Sequence, residues 1–318
     1  MTLRTAGIHH ITAFVRDAQA NVDFYAGILG LRLVKQTVNF DVPSVYHLYF
    51  GNETGAPGTV VTFFPFEHGR QGKIGSGQVE WITFAIPEGA MSFWENRLTR
   101  FGIEFARERR FEETYLRFAD RDGLQLELTE RRRGPNSGWS FGEIPAEMAI
   151  KGLGGAVLNS GAPERTGILL QELLGLEKVG RENGLLRFRS YGELGNIIEL
   201  KEAASDLGHG GPGTVHHIAW RAKNDAEHEV WRERIVNRGL EPTPVKNRNY
   251  FNAIYFYEPG GIFFEIATDS PGFDRDESYE ELGRALKLPE WYEERRSDIV
   301  KGLPAFTVRP LEEDTSND

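Results

Sequence analysis

Several features are missing from this sequence of 318 residues, and each absence narrows the class of protein. It contains no cysteine, which excludes disulfide bonds and thiolate ligands and agrees with a reducing cytoplasm. No run of about 18 apolar residues predicts a membrane helix, and the N-terminus lacks a secretory pattern. A formal net charge of −10 argues against nucleic acid as a partner, because phosphates bind basic surfaces. We therefore expect a cytoplasmic protein that acts on a small molecule.

Histidine is also scarce, yet four of the eight histidines occur in two nearly identical segments. Gly7–Thr12 reads GIHHIT, and Thr214–Trp220 reads TVHHIAW. In both segments the histidine pair leads into an apolar stretch, which is typical of a β-strand with one buried face. The remainder of the chain is expected to bring these two strands together.

The two segments open the first and last of four repeated modules. Each module begins with a strand, continues into an amphipathic helix that ends at a glycine, and adds further strands. The distance from the strand to that glycine is 20 to 22 residues in all four. The βαβββ modules cover residues 1–66, 79–131, 151–203 and 214–270, and an acidic helical tail covers 271–318. Its last ten residues are expected to be disordered.

One module is too small to bury a core by itself. The repeat therefore predicts an α+β fold, in which four βαβββ modules pair into two domains with open, cup-shaped mixed sheets. Modules 1 and 4 are expected to form the cup that carries the chemistry.

Strand alternation predicts which side chains face that cup. Ile11, Ala13 and Val15 form an apolar row expected to pack against the helix of module 1. His10 and Thr12 are then on the opposite face, and His217 occupies the same position in module 4. By the same rule, His9 and His216 start on the helix side, unless the ends of their strands are distorted.

A carboxylate completes the set. Glu265 lies in PGGIFFEIA, between Phe264 and Ile266, and a carboxylate in such a core is rarely left without a partner. His10, His217 and Glu265 supply two imidazoles and one carboxylate, the ligand set of non-haem Fe(II) sites that keep open positions.

The other modules provide an internal comparison for these positions. The counterparts are Trp81 and Gly155 for His10, and Phe63, Glu127 and Glu199 for Glu265. Only modules 1 and 4 together hold both histidines and a carboxylate, so no metal is expected in the cup of modules 2 and 3. Glu127 and Glu199 are interpreted as structural remnants, whereas Phe63 removes a fourth protein ligand and leaves room for substrate and oxygen.

Seven motifs carry a family pattern over residues 7–277. They are HHIT (9–12), YHLYF (46–50), G-x-PGTV (55–60), HHIAW (216–220), KNRNYF (246–251), PGGIFFE (259–265) and PGFDRDE (271–277). Together they resemble the vicinal oxygen chelate superfamily, and in particular its hydroquinone-type ring-cleaving dioxygenases. The resemblance implies metal ligation by His10, His217 and Glu265, and further site residues at His9, Thr12, His216, Arg248 and Tyr255.

The resulting hypothesis is a non-haem Fe(II) dioxygenase, with Mn(II) as the alternative metal, that inserts O₂ into a hydroquinone or related aromatic diol. Three alternatives stay open: a glyoxalase-type isomerase or thiol transferase, a metal-free protein that sequesters aromatic compounds, and ordinary catechol cleavage. The sequence leaves open a homo-oligomer. The remaining histidines have no such context and are assigned surface or packing roles: His47, His68, His209 and His228.

Overall fold

The computed structural model describes residues 3–311 and folds into two eight-stranded mixed sheets. The first sheet combines strands from residues 8–65 with strands from residues 214–271. The second sheet combines strands from residues 78–130 with strands from residues 152–201. The predicted α+β class with paired mixed sheets is therefore confirmed.

Sixteen strands build the two sheets. In chain order they are β1 Ile8–Val15, β2 Arg32–Val38, β3 Tyr46–Gly51, β4 Val60–Pro65, β5 Gln78–Ile86, β6 Ala106–Arg110, β7 Glu113–Ala119, β8 Gln125–Glu130, β9 Gly152–Asn159, β10 Glu177–Glu182, β11 Leu185–Arg189, β12 Ile197–Lys201, β13 Thr214–Ala222, β14 Lys246–Asn247, β15 Phe251–Tyr257 and β16 Phe263–Pro271.

The helices are short. They are α1 Ala18–Val22, which continues as a π-helical segment Asp23–Ile28, α2 Met91–Arg100, α3 Pro163–Glu172, α4 Asp225–Asn237, α5 Glu290–Glu293 and α6 Arg296–Gly302, with 3₁₀ turns at Phe273–Arg275 and Tyr279–Glu281. Within residues 3–311, no helix has both the length and the apolar character needed to cross a membrane.

The strand order places the two histidine-bearing strands side by side. It is β14-β15-β16-β13-β1-β4-β3-β2 in the first sheet and β10-β11-β12-β9-β5-β8-β7-β6 in the second. In both sheets the first strands of two modules pair antiparallel at the centre, and each pairs parallel with the last strand of its own module. Each sheet therefore has an approximate two-fold relation between its halves.

Polar side chains cap the N-termini of two helices, and a glycine follows the first helical segment. The Asp17 carboxylate accepts a hydrogen bond of 2.7 Å from the backbone N–H of Ala20 and caps α1. The π-helical segment after α1 gives way at Gly30, whose φ of +68° suits glycine. Asn224 caps α4 in the same way, by accepting from the N–H of Glu227.

The apolar rows pack as alternation predicts. Ile11, Ala13 and Val15 join one continuous core with residues of α1 and of the second sheet. The opposite face of the first sheet carries a separate buried cluster that includes Val60 and Ala219. The two faces of this sheet are therefore distinct, and only one contributes to the main core.

β-Bulges overturn the alternation rule at His9 and His216. Ile8 pairs with Trp220 and His10 with Ala219, so His9 is an extra residue in β1. On the other side of the two-fold axis, His216 is the extra residue in β13. A bulge redirects the side chain of the inserted residue. The helix-side assignment by simple alternation therefore fails at these two histidines, and the exception for distorted strand ends applies instead.

Two edge strands, β6 and β10, have sequences that do not mark them as strands, ARERR and EKVGRE. Their many charges hide any apolar alternation and suit an unpaired sheet edge. The tail packs against the outer edge of the first sheet. Leu286 forms an isolated parallel β-bridge with Gln36, and the Tyr292 hydroxyl donates a hydrogen bond to the Phe40 carbonyl. Residues 312–318, most of the segment expected to be disordered, lie outside the described range.

Arginine side chains fill the cup of the second sheet. Arg110 donates from Nε to Glu199 at 2.6 Å and from both terminal nitrogens to Glu127 at 3.0 and 2.7 Å. Arg117 adds a bond to Glu127, and Arg187 adds bonds to Glu199. Both glutamates thus form ion pairs with arginines, and Arg110 links modules 2 and 3 through them. This role is more definite than the structural remnant that the sequence suggested.

We predict that Arg110→Met destabilises the fold by about 3–5 kcal/mol, because it leaves two buried carboxylates short of their shared cation. Urea unfolding measures this change. The neighbouring Arg109 is exposed, and Arg109→Met is the matched control, expected to stay within about 0.5 kcal/mol. Equal effects of the two substitutions would contradict the role given to Arg110.

Candidate metal centre and substrate cavity

Three potential ligand atoms converge on the cup face of the first sheet. His10 Nε2 lies 3.2 Å from His217 Nε2, and Glu265 Oε2 lies 2.9 Å from His217 Nε2 and 3.4 Å from His10 Nε2. Ligands at right angles around an ion with bonds of about 2.1 Å are separated by roughly 3 Å. The three atoms therefore have the spacing of one triangular face of a metal coordination sphere, and they form the one such group among residues 3–311.

The Glu265 carboxylate is the clearest sign that something is bound here. It is fully buried, and neither oxygen makes a hydrogen bond with good geometry to any residue that the structure describes. Burial acts to raise the pKa of Glu265, but His10 and His217 outweigh it and hold that pKa well below its usual range. A buried, charged carboxylate whose close polar contacts are two imidazole nitrogens at 2.9 and 3.4 Å is costly, and a divalent cation between the three residues would satisfy it.

His9 fixes the tautomer of His10. The Nε2–H of His9 donates to the Thr268 carbonyl at 3.1 Å, and burial lowers the pKa of His9, so the neutral ring has an acceptor at Nδ1. That atom lies 2.9 Å from Nδ1 of His10, which must then carry the proton. Nε2 of His10 consequently points a lone pair at the other two ligand atoms.

His216 holds the equivalent position beside His217. Their Nδ1 atoms are 2.6 Å apart, and burial lowers the pKa of both rings, that of His216 to about 3. If His217 presents a lone pair at Nε2, its Nδ1–H donates to His216, which then carries its own proton on Nε2. Because His216 lines the neighbouring cavity, it can offer this N–H to a ligand.

Thr62, not Phe63, occupies the position of Glu265 in module 1. Thr62 pairs with Thr12, just as Glu265 pairs with Ala219 across the two-fold axis. Phe63 instead packs on the helix side, with its ring 4.2 Å from that of Tyr25. The assignment of Phe63 as the counterpart of Glu265 was therefore wrong by one residue. The conclusion that module 1 supplies no fourth protein ligand is unchanged, because Thr62 has no carboxylate.

Thr12 is buried beneath the site and bonds to Thr62 through their hydroxyls at 2.7 Å. It is not among the residues that line the cavity. Thr12, like His9, is therefore placed to act only through its neighbours.

A cavity of about 420 Å³ opens beside the three ligand residues. This volume falls in the range typical of small-molecule sites, roughly 300–1,000 Å³. Six phenylalanines are among the residues that line the cavity: Phe14, Phe40, Phe64, Phe66, Phe251 and Phe263. An aromatic ring next to the metal ligands suits such a wall.

Arg248 and Tyr255 lie together in this wall, as the sequence analysis requires of site residues. Arg248 donates from Nε to the Tyr255 hydroxyl at 3.0 Å and from a terminal nitrogen to Asp41 at 2.8 Å. Burial raises the pKa of Tyr255, so its hydroxyl stays protonated. Because that oxygen accepts from Arg248, its own O–H is left to donate toward the cavity.

Sequence reasoning missed His47, Tyr49 and Asp41, all of which line the cavity. His47 was assigned a surface or packing role because it has no histidine neighbour. The signal that was available is YHLYF itself, in which His47 and Tyr49 are two residues apart and so share one face of β3.

Comparison with known families now identifies the chain. The model of the Glyoxalase/Bleomycin resistance protein/Dioxygenase superfamily matches residues 7–128 and 156–266. The chain belongs to this superfamily. The two matched regions correspond to the two halves of the repeat, each ending just beyond a glutamate described above, Glu127 and Glu265.

Curated relatives extend over nearly the whole chain. MhqO of Bacillus subtilis (strain 168), whose name assigns it provisionally to the ring-cleaving dioxygenases, is 54% identical over 312 residues, covering 98% of this chain and all of the relative. A chlorohydroquinone/hydroquinone 1,2-dioxygenase of Sphingobium indicum is 31% identical, covering 94% of this chain and 96% of the relative. The chain is therefore an enzyme related to ring-cleaving dioxygenases, and the predicted resemblance is confirmed.

Solved structures agree on the fold. The crystal structure of a dioxygenase, also provisionally named, from Bacillus subtilis superposes with a TM-score of 0.97 at 54% identity, covering 98% of this chain and all of that one. Glyoxalase I from Zea mays has a TM-score of 0.61 at 14% identity, covering 83% and 92% of the two chains. The second likeness shows a shared fold alone.

We predict that His9→Ala weakens binding of Mn(II) about 10–100-fold, because the partner that orients His10 is lost. Equilibrium dialysis of the metal-free protein against Mn(II) measures the affinity.

His228→Ala is the matched control. His228 is also buried and its ring also lies 2.9 Å from a carbonyl of β16, that of Ile266, but it does not touch a ligand residue. Its replacement should leave the Mn(II) affinity unchanged. An equal loss in both variants would assign His9 to general stability.

Proposed function

We propose that the protein is a ring-cleaving dioxygenase that inserts O₂ into a hydroquinone or related aromatic diol with the help of Fe(II), Mn(II) being the alternative metal. The observation that carries this proposal is the contrast between the two cups. Glu127 and Glu199 are neutralised by arginines, whereas Glu265 faces two imidazoles and neither of its oxygens has a hydrogen bond of good geometry. Among residues 3–311, this contrast supports a cation in the first cup and none in the second, and the first cup opens onto an aromatic cavity.

His10, His217 and Glu265 would hold the metal. When bound there, a divalent ion with open positions makes a phenolic hydroxyl more acidic and brings the ring and O₂ together. The protein contributes the tautomers that direct the ligand atoms inward, through His9 for His10 and through His216 for His217.

Two donors of the cavity wall would act on the substrate. The Nε2–H of His216 and the O–H of Tyr255 both remain for a ligand, and Arg248 adds a fixed positive charge behind Tyr255. Donors arranged in advance around a developing negative charge stabilise it strongly in a cavity from which water is excluded. We assign all three residues to stabilising the anionic ring and its oxygenated products, and His216 also to proton transfer.

The glyoxalase-type alternative is less well supported, because Thr62 occupies the position where a fourth carboxylate ligand would be expected. A metal-free binding protein would bear the cost of burying the charged Glu265 without a cation to compensate it. Both alternatives predict that the compound is converted or bound without consumption of O₂.

Oxygen uptake tests the proposal. Iron-loaded protein should consume one O₂ for each hydroquinone opened, and both atoms of labelled O₂ should appear in the product before exchange. Tyr255→Phe should lower the rate roughly 100-fold, whereas Tyr257→Phe, which alters an exposed tyrosine of the same strand, should not change it. Conversion of a glutathione adduct without O₂ uptake would favour the isomerase instead.

A further inference from the structure

Tyr49 and Tyr255 are equivalent positions of the repeat. Tyr255 pairs with Glu265 in the first sheet, and Tyr49 pairs with Thr62, which is the counterpart of Glu265. The two tyrosines therefore flank the candidate metal centre from opposite sides of the two-fold axis, and both line the cavity. At the matching positions of the second cup, Arg117 and Arg187 pair with glutamates instead.

Each of these tyrosine hydroxyls is held by one basic side chain. Arg248 donates to Tyr255, whereas the Tyr49 hydroxyl lies 2.7 Å from Nδ1 of His47. The other nitrogen of His47 lies 2.8 Å from the Thr62 hydroxyl, which contacts Thr12 in turn. His47 is also packed between rings, with centroid distances of 4.0 Å to Tyr49 and 4.4 Å to Phe64. The hydroxyl of Tyr49 is thus held in place by His47.

The hydrogen bonds that link Tyr49, His47 and Thr62 can have either donor–acceptor direction. Burial lowers the pKa of His47 and raises that of Tyr49, so the imidazole is neutral and the phenol keeps its proton. In one tautomer of His47, Tyr49 donates to Nδ1 and offers the cavity an acceptor. In the other, Tyr49 accepts from Nδ1–H and offers the cavity a donor. Such a group suits a ligand hydroxyl, which is itself both a donor and an acceptor.

We propose that Tyr49, oriented by His47, binds the substrate hydroxyl that does not coordinate the metal. This inference rests on the proposed function and adds a second polar contact on the module 1 side of the cavity. It makes Tyr49 a determinant of specificity for aromatic diols over monophenols, and His47 its positioning residue. Neither residue is required to hold the metal.

Anaerobic calorimetry with two ligands tests the proposal, because 4-methylphenol replaces one hydroxyl of hydroquinone with a methyl group. Wild-type protein loaded with Mn(II) should bind hydroquinone more tightly. Tyr49→Phe should weaken hydroquinone about tenfold and 4-methylphenol less than twofold, since one hydrogen bond is lost only with the diol. His47→Phe should show the same selective loss, and His47→Asn, which keeps a polar atom near Nδ1, a smaller one.

Tyr250→Phe is the matched control. Tyr250 is as deeply buried as Tyr49, but its hydroxyl donates to Asp276 and it does not line the cavity. It should leave both affinities unchanged. If Tyr49→Phe weakened both ligands equally, or neither, the Tyr49 contact would be refuted while the proposed function stood. If wild-type protein bound neither ligand and opened no ring, both proposals would be overturned.

Discussion

The structure depends on one costly arrangement, a charged carboxylate that is buried between two imidazoles without a hydrogen bond of good geometry. Glu265 can stay ionised in the centre of a sheet only if a positive charge compensates it, because desolvation opposes charge in a protein interior. Everything near it serves that compensation. Two imidazoles face it across about 3 Å, their Nδ1 atoms contact His9 and His216, and the cavity gives access from one side.

The second sheet shows an alternative solution on the same scaffold. Its two glutamates share Arg110, and further arginines complete the neutralisation. The carboxylates of that cup therefore need no metal ion to compensate their charge. The same repeated fold therefore carries stabilising ion pairs in the second sheet and the candidate metal centre in the first. The tyrosine positions follow the same division, since Tyr49 and Tyr255 face a cavity where the other half carries arginines.

Most of the fold was predictable because the repeat combines alternation with glycines at matching positions, and the apolar rows beginning at Ile11 and Ile218 mark the buried face. Two details depend on partner strands and were not readable. A bulge at His9 exists only relative to β13, and the counterpart of Glu265 was misplaced by one residue because GTVVTFF contains no charged residue to mark the register. Arg110 was missed because its partners, Glu127 and Glu199, are distant in sequence, whereas Tyr49 was missed although its partner His47 is only two residues away.

Anomalous diffraction from crystals soaked in Mn(II) tests the central claim most directly. The account predicts one strong peak per chain within about 2.0–2.3 Å of Nε2 of His10, Nε2 of His217 and an oxygen of Glu265, and no peak between Glu127 and Glu199. A peak in the second cup, or none in the first at saturating Mn(II), would contradict it.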